Sequence, residues 1–138
     1  METETGGRRI ETLVAGDLVL TMDNGLQPIR WIGHKTLTAR DLDRSPKQRP
    51  IRVKAGAFGA GLPHRDLTVS PQHRILLRDD ATEVLVAAGK LLALPGVTRA
   101  LGTRRVEYFH LLFDRHEVVT ANGLPCESYF PGDCTMKA

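Results

Sequence analysis

What most limits the fold of this chain is the regular interruption of its apolar runs by turn-forming pairs. Asn24-Gly25, Asp79-Asp80, Pro95-Gly96, Asn122-Gly123 and Pro131-Gly132 cut it into pieces too short for long helices, and thirteen glycines and eight prolines lie scattered in such clusters. Asparagine and glycine accept the positive φ that tight hairpins demand, and proline removes a backbone donor, so punctuation this dense favours many short strands. Residues 18–22 read as a strand, and Asp23-Asn24-Gly25 as the turn into a partner strand over 27–38. In that partner Ile29, Trp31 and Gly33 alternate with Pro28, Arg30 and Ile32, which predicts Ile29 and Trp31 on one face. Further strands are expected at Ile51–Val53, Leu67–Val69, 75–77, 83–86, 106–113, 117–120 and 124–130, those at 106–113 and 117–120 forming a hairpin around Asp114-Arg115-His116. Residues 1–9 show no first strand, 40–50 read as a polar loop, 94–101 as irregular, 87–92 as the one short helical patch, and 131–138 as a tail. The expectation is one all-β domain over residues 1–138, with at most one short helix.

Composition narrows the function classes. An apolar fraction of 41% and a charged fraction of 25% are those of an ordinary globular protein, and 138 residues suffice for one buried core. The net charge of +3 is concentrated where Arg40, Arg44, Lys47, Arg49, Arg52 and Lys54 outnumber Asp41 and Asp43. Without interleaved aromatic residues or a helix-turn-helix pattern, this stretch reads as a solvated loop rather than a nucleic-acid surface. Cys126 and Cys134 form no C-x-x-C pair, and one bridge between them would not frame a fold. No apolar run approaches the ~20 residues that span a bilayer and no signal-peptide pattern opens the chain, so it reads as soluble with no membrane partner.

The stretch most suggestive of chemistry is Asp-Leu-Thr-Val-Ser-Pro-Gln-His-Arg-Ile-Leu-Leu, residues 66–77. Two apolar runs flank Ser70-Pro71-Gln72-His73, and proline disfavours helix at the residue before it, so this break reads as a tight turn between strands. It offers a hydroxyl and, three residues later, an imidazole, a pair able to grip a backbone amide or move a proton. The plainer reading makes Ser70 a turn-closing hydroxyl and His73 a strand cap. The other histidines, His34, His64, His110 and His116, form no short-spaced zinc pairs, and no phosphate or dinucleotide fingerprint is present, so neither metal nor cofactor is expected. The candidate groups are Ser70, His73, His110, Asp114, His116, Cys126 and Cys134, with His34 and His64 taken as structural or surface residues.

These residues resemble a known family. Gly6-Gly7-Arg8-Arg9-Ile10-Glu11 followed by Leu13-Val14-Ala15-Gly16-Asp17-Leu18-Val19-Leu20-Thr21 is similar to the opening of a Hedgehog/intein (Hint) autoprocessing domain, and Gln27-Pro28-Ile29-Arg30-Trp31-Ile32-Gly33 continues in the manner of the bacterial branch. Leu67-Thr68-Val69-Ser70-Pro71-Gln72-His73-Arg74 resembles the family's motif of a hydroxyl residue three positions before a histidine. His110, Asp114-Arg115-His116, Ala121-Asn122-Gly123 and Glu127-Ser128-Tyr129 resemble its closing motifs. The resemblance implies a horseshoe of short strands whose ends meet at one site. There an N-terminal Cys or Ser attacks the preceding carbonyl, and a second nucleophile resolves the resulting thioester or ester. It assigns His73 the protonation of the departing nitrogen, Ser70 the grip on the scissile amide, and His116 and Asp114 orientation from the late turn. The partner is the chain's own upstream polypeptide, in cis.

Two departures from the family pattern shape the expectation. None of the five residues before Gly6 is cysteine or serine, so the nucleophile and first strand read as missing, and the chain as written is expected not to perform the acyl shift. Missing a first strand, it would expose an unpaired edge through which two copies could pair as a homodimer. Second, Glu127-Ser128 stands where splicing inteins close on His-Asn; serine cannot form the succinimide, so cleavage at the N-terminal junction fits better than splicing. The rival reading is a catalytically silent Hint-like structural or binding module. Cys126 is read as a small core residue, with a substitute nucleophile as the alternative.

Overall fold

The computed structural model describes residues 1–79, 81–128 and the strand Met136–Lys137. The chain opens on a small hairpin of β1 (Glu2–Thr3) and β2 (Gly6–Gly7). Thr3 closes it: its Oγ1 accepts from the Thr5 N–H at 3.2 Å and donates to the Gly6 carbonyl at 2.7 Å, with Gly6 at φ +94°. Residues 1–9, expected to show no strand, therefore hold two, because a two-residue strand leaves no periodic signature. Thr3 pairs with Val19 of β3 (Leu18–Thr21), which turns through Asn24 into β4 (Gly25–Pro28) with Gly25 at φ +64°.

The strand expected over 27–38 is divided. β4 ends at Pro28, and β5 (Trp31–Thr38) belongs to a different sheet. Alternation of faces holds only inside one strand, so Ile29 is buried whereas Trp31 is half exposed, its indole covering Gly33. The expected polar loop at 40–50 instead opens on an α-helix, α1 (Ala39–Arg44), followed by a 3-10 turn at Pro46–Gln48. Thr38 and Asp41 form a reciprocal capping box at its start, and Leu42, fully buried, packs with Leu37, Val106 and Tyr108.

β6 (Ile51–Val53) and β7 (Leu67–Val69) lead to the Ser70–His73 turn, after which β8 (Arg74–Asp79) and β9 (Thr82–Ala87) form a hairpin. A 3-10 turn at Ala88–Leu91 stands where a helix was expected, too short for an α-helix to nucleate. β10 (Val97–Arg99) emerges from the stretch read as irregular because β6 supplies a three-residue partner. β11 (Arg105–Leu112) and β12 (Val118–Ala121) are not a hairpin: β11 pairs with β5 over eight residues, and β12 pairs with β13 (Leu124–Glu127) through Asn122-Gly123. Met136–Lys137, in the expected tail, form β14 between β7 and β11.

Every pairing among the described residues is antiparallel. One sheet runs β2-β1-β3-β12-β13-β8-β9, with β4 on the other edge of β3; the second runs β10-β6-β7-β14-β11-β5. The fold is all-β, with one short α-helix among the described residues. Val19, Ile75, Val119 and Cys126 from the first sheet share one core with Ile51, Val53, Leu67, Val69 and Leu111 from the second. The chain changes sheet at Ile29-Arg30, at Ser70–His73, between Ala87 and Val97, between Phe113 and Glu117, and again between β13 and β14.

The β12–β13 turn offers a direct test of hairpin chemistry. Asn122 and Gly123 both have positive φ, 49° and 87°, and a Cβ on Gly123 would lie 2.6 Å from His64 Nε2. Gly123→Ala is expected to lose roughly 1–3 kcal/mol in urea unfolding. Gly102→Ala, with open space around it, should stay within about 0.5 kcal/mol of the parent. Equal stability of the two variants would remove the turn from its pinning role.

Candidate functional site

The Ser70–His73 turn is a passage between the two sheets, held by backbone on both sides. The His73 N–H donates to the Ser70 carbonyl at 3.1 Å, closing the turn. From the Ala88–Leu91 turn, the Ala88 N–H donates to the His73 carbonyl and the Gly89 N–H to the Pro71 carbonyl, each at 2.8 Å. The approach is close: a Cβ on Gly89 would lie 3.2 Å from the Pro71 oxygen.

The turn thus buries both candidate side chains. Ser70 is 6% exposed and His73 1%, and among the described residues neither Ser70 Oγ nor either ring nitrogen of His73 has a hydrogen-bond partner. A buried polar atom left unpaired costs about 1–3 kcal/mol, so such groups are uncommon and call for an explanation. Burial lowers the His73 pKa to about 4, against an opposing pull from the charge of Glu127. At neutral pH His73 is therefore a neutral imidazole, with one N–H to give and one nitrogen to accept.

Glu127, at the end of β13, is the residue that sequence reasoning left without a role beyond replacing a family histidine. Pairing of Cys126 with Ile75 sets β13 against β8 and brings Glu127 to Arg74. Fully buried, its carboxylate accepts from Arg74 Nε at 2.8 Å, lies 2.7 Å from Arg74 Nη2 and meets His116 Nε2 at 3.0 Å. The one signal for it was an acid ending an otherwise apolar strand. Its neighbour Ser128 accepts from the Glu117 N–H at 3.0 Å and donates its own N–H to the Glu117 carbonyl at 2.7 Å. The Glu117 side chain in turn takes the Asn24 amide at 2.8 and 3.1 Å.

The candidates therefore separate. Ser70 and His73 share one buried turn, and His116 joins it indirectly through Glu127. Asp114 does not join: it lies at the surface in a two-pronged pair with Arg30, Nε to Oδ1 at 2.8 Å and Nη2 to Oδ2 at 3.1 Å. The Arg30 bond holds its carboxyl below the usual range. It left the buried group because residues 114–116 form a passage between sheets, not a hairpin tip. Cys126 is fully buried, and burial pushes its thiol up to about 12, as suits a core residue. Cys134 and Tyr129 lie outside the described residues. His34 stacks on Phe109 at 4.9 Å, His64 sits in a loop with its N–H on the Asn122 carbonyl, and His110 lies in β11 opposite Gly33.

Two measurements follow. Because the folded pKa of His73 lies below its ordinary 6.5, the unfolded chain takes up a proton that the folded chain refuses. Stability is then fully present above about pH 6.5 and lost as pH falls towards 4, on the order of 3 kcal/mol in all. Between pH 7 and 4.5, urea unfolding of the parent should lose about 2 kcal/mol more than that of His73→Gln, and identical losses would mean that His73 charges in the folded protein. In a Cys134→Ser background, iodoacetamide should label Cys126 only on unfolding; rapid labelling of the folded protein would contradict its burial.

No curated protein and no solved structure matches this chain. One family model does, the Hint domain, over residues 1–133, a span that takes in every strand of the two sheets except β14, the Ser70–His73 turn and the Glu127 carboxylate. By that match, over nearly its whole length, the chain belongs to the Hint domain family.

Proposed function

We propose that this chain is a Hint-type self-processing domain in which the Ser70–His73 turn activates an upstream peptide bond for an N-to-S or N-to-O acyl shift. The observation that carries this reading is the set of buried polar atoms, Ser70 Oγ and the two His73 ring nitrogens, unpartnered among the described residues. A backbone amide brought to the turn would satisfy them. The Ser70 hydroxyl bonds that amide, and the N–H of neutral His73 points its proton at the amide nitrogen. A cysteine or serine attacks the carbonyl carbon; the new C–S or C–O bond forms as the C–N bond breaks. The proton of the nucleophile replaces the one that His73 gives to the departing amine. A second nucleophile then opens the thioester or ester.

Cleavage at the N-terminal junction alone is the outcome this arrangement favours. Both Glu127 oxygens are held by Arg74 and His116, and Ser128 is bonded to Glu117, so neither resembles an asparagine poised to cyclise. No residue from Met1 to Thr5 is cysteine or serine, and the Cys126 thiol is held protonated by burial, so the polypeptide 1–138 by itself is inert in this reading. A second reading, favoured by the burial that keeps the Cys126 thiol protonated, is a catalytically silent Hint-like module.

A fusion separates the two. Met1 is buried and Thr3 is already paired with Val19, so a reporter ending in a cysteine-initiated segment is best joined ahead of Met1, with the cysteine at several successive positions. Release is followed by mass spectrometry with and without dithiothreitol. Thiol-accelerated release at the cysteine is expected, slowed on the order of 100-fold or more by His73→Ala and less by Ser70→Ala. A folded fusion that releases nothing from any position supports the silent module.

A further inference from the structure

Against the Ser70–His73 turn lies a cavity of about 480 Å³, within the range of small-molecule sites. Ser70, Pro71 and Gln72 form one wall; Lys35 and Leu37 of β5, Tyr108 of β11 and residues 44–48 form the rest. The charge around it is one-sided. Among the described residues Lys35, Arg44 and Lys47 line it, no carboxylate does, and none of the three enters a salt bridge. The nearby acids are committed elsewhere: Asp41 caps α1 through Thr38, under the field of Arg44, and Asp43 pairs with Arg49 at 2.9 Å.

The cavity is built, not a crevice between mobile loops. Lys35 stands directly opposite Tyr108 in the β5–β11 ladder, and the buried Tyr108 hydroxyl donates to the Gln48 carbonyl at 3.0 Å. Arg99 Nη1 reaches the carbonyls of Lys47 at 3.2 Å and Arg49 at 3.4 Å, and Arg49 spans from Asp43 to the Thr103 carbonyl at 2.9 Å. These straps fix the 45–49 segment that carries Lys47. Cations left unpaired around a preformed pocket with apolar walls at Leu37, Pro46 and Pro71 select a ligand with negative charge and an apolar body.

We propose that this cavity is a binding site for a small organic anion, one bearing a carboxylate or phosphate on an apolar ring or chain. The site stands apart from the self-processing reading and shares with it only the wall formed by the turn. A size on the scale of one small molecule distinguishes it from a nucleic-acid surface, which would need a stacking platform along an extended groove.

The test is a two-dimensional amide NMR titration of the full chain with 1-naphthyl phosphate, 1-naphthoate, 1-naphthol, inorganic phosphate and a short oligothymidylate. Saturable shifts are expected at Lys35, Leu37, Lys47, Gln48, Ser70 and Gln72 with 1-naphthyl phosphate, 1-naphthoate or both; which one binds tells phosphate from carboxylate. Naphthol and inorganic phosphate should bind at least ~10-fold more weakly, because each lacks half of the recognised chemistry. Lys35→Gln/Arg44→Gln/Lys47→Gln should weaken naphthyl anions ~10-fold or more while keeping native amide dispersion. The proposal is overturned if no probe shifts these amides by 10 mM on the order of the weakest specific affinities. It is equally overturned if naphthol binds as well as the anions, if the oligonucleotide binds tighter than any small probe, or if a folded triple variant binds unchanged. Should the triple variant unfold, single Lys47→Gln and Lys35→Gln variants give the same comparison, each expected to weaken the anions but not naphthol.

Discussion

The interaction on which the rest of the site depends is the burial of one carboxylate. Glu127 is wholly removed from solvent, and an ion so placed is tolerated only when paired and hydrogen-bonded from several sides. Arg74 supplies two contacts from β8 and His116 a third from the passage between β11 and β12. The carboxylate thereby ties β13 to its neighbouring strand and to a segment that otherwise only connects sheets. It also sits close enough to His73 to pull its pKa upward, while desolvation pulls harder in the other direction. The balance leaves the imidazole neutral, the state in which it can both donate and accept. Removing Arg74 would leave the buried Glu127 carboxylate with His116 as its remaining partner, whereas Arg74, a third exposed, keeps access to solvent when Glu127 is removed.

The places where the chain changes sheet are where its chemistry gathers. Within a paired strand, side chains are used up in core packing on one face, as Ile51 and Val53 or Leu67 and Val69 are. A passage between sheets leaves backbone and side chains free of a ladder and must anchor them some other way. Ser70–His73 is anchored by carbonyls that accept from Ala88 and Gly89, and the 114–117 passage by Ser128 and Asn24. The exposed Arg30–Asp114 pair joins the Ile29-Arg30 passage to it. Loops fixed this firmly on a rigid scaffold are the usual carriers of binding and reaction.

How much of this was legible depends on whether the signal was local. Asn24-Gly25 and Asn122-Gly123 each dictate a hairpin by their own φ preferences, and both hairpins form. The hydroxyl and imidazole of Ser70 and His73 could be read from spacing and proline, and the turn does carry both into one buried place. Sheet membership could not be read, because an alternating pattern is the same whichever sheet a strand joins. That is why 27–38 looked like one strand and 106–120 like one hairpin. Two local signals were present but outweighed: Thr38-x-x-Asp41, the capping box that starts α1, lay inside a run of charges, and β10 lay beside Pro95-Gly96. Glu127 was legible as an acid but not as a hub, since its partners are 53 and 11 residues away in sequence.

Unpaired polar atoms and close packing around one turn pull in opposite directions, and the structure resolves the tension through backbone. Ser70 and His73 side chains contribute no hydrogen bonds among the described residues, so they cannot be what holds the turn. The carbonyls of Ser70, Pro71 and His73 do that work, leaving both side chains available without loosening the turn itself. The same backbone makes the turn a shared wall: buried core and Glu127 lie towards His73, while the basic cavity lies towards Ser70, Pro71 and Gln72. Because Gly89 approaches Pro71 with no room to spare for a larger side chain, a shift of the turn towards the cavity or away from it would break the contacts that fix it. The turn is therefore stiff, and its stiffness is what preorganises both the histidine and the cavity wall that Ser70, Pro71 and Gln72 form.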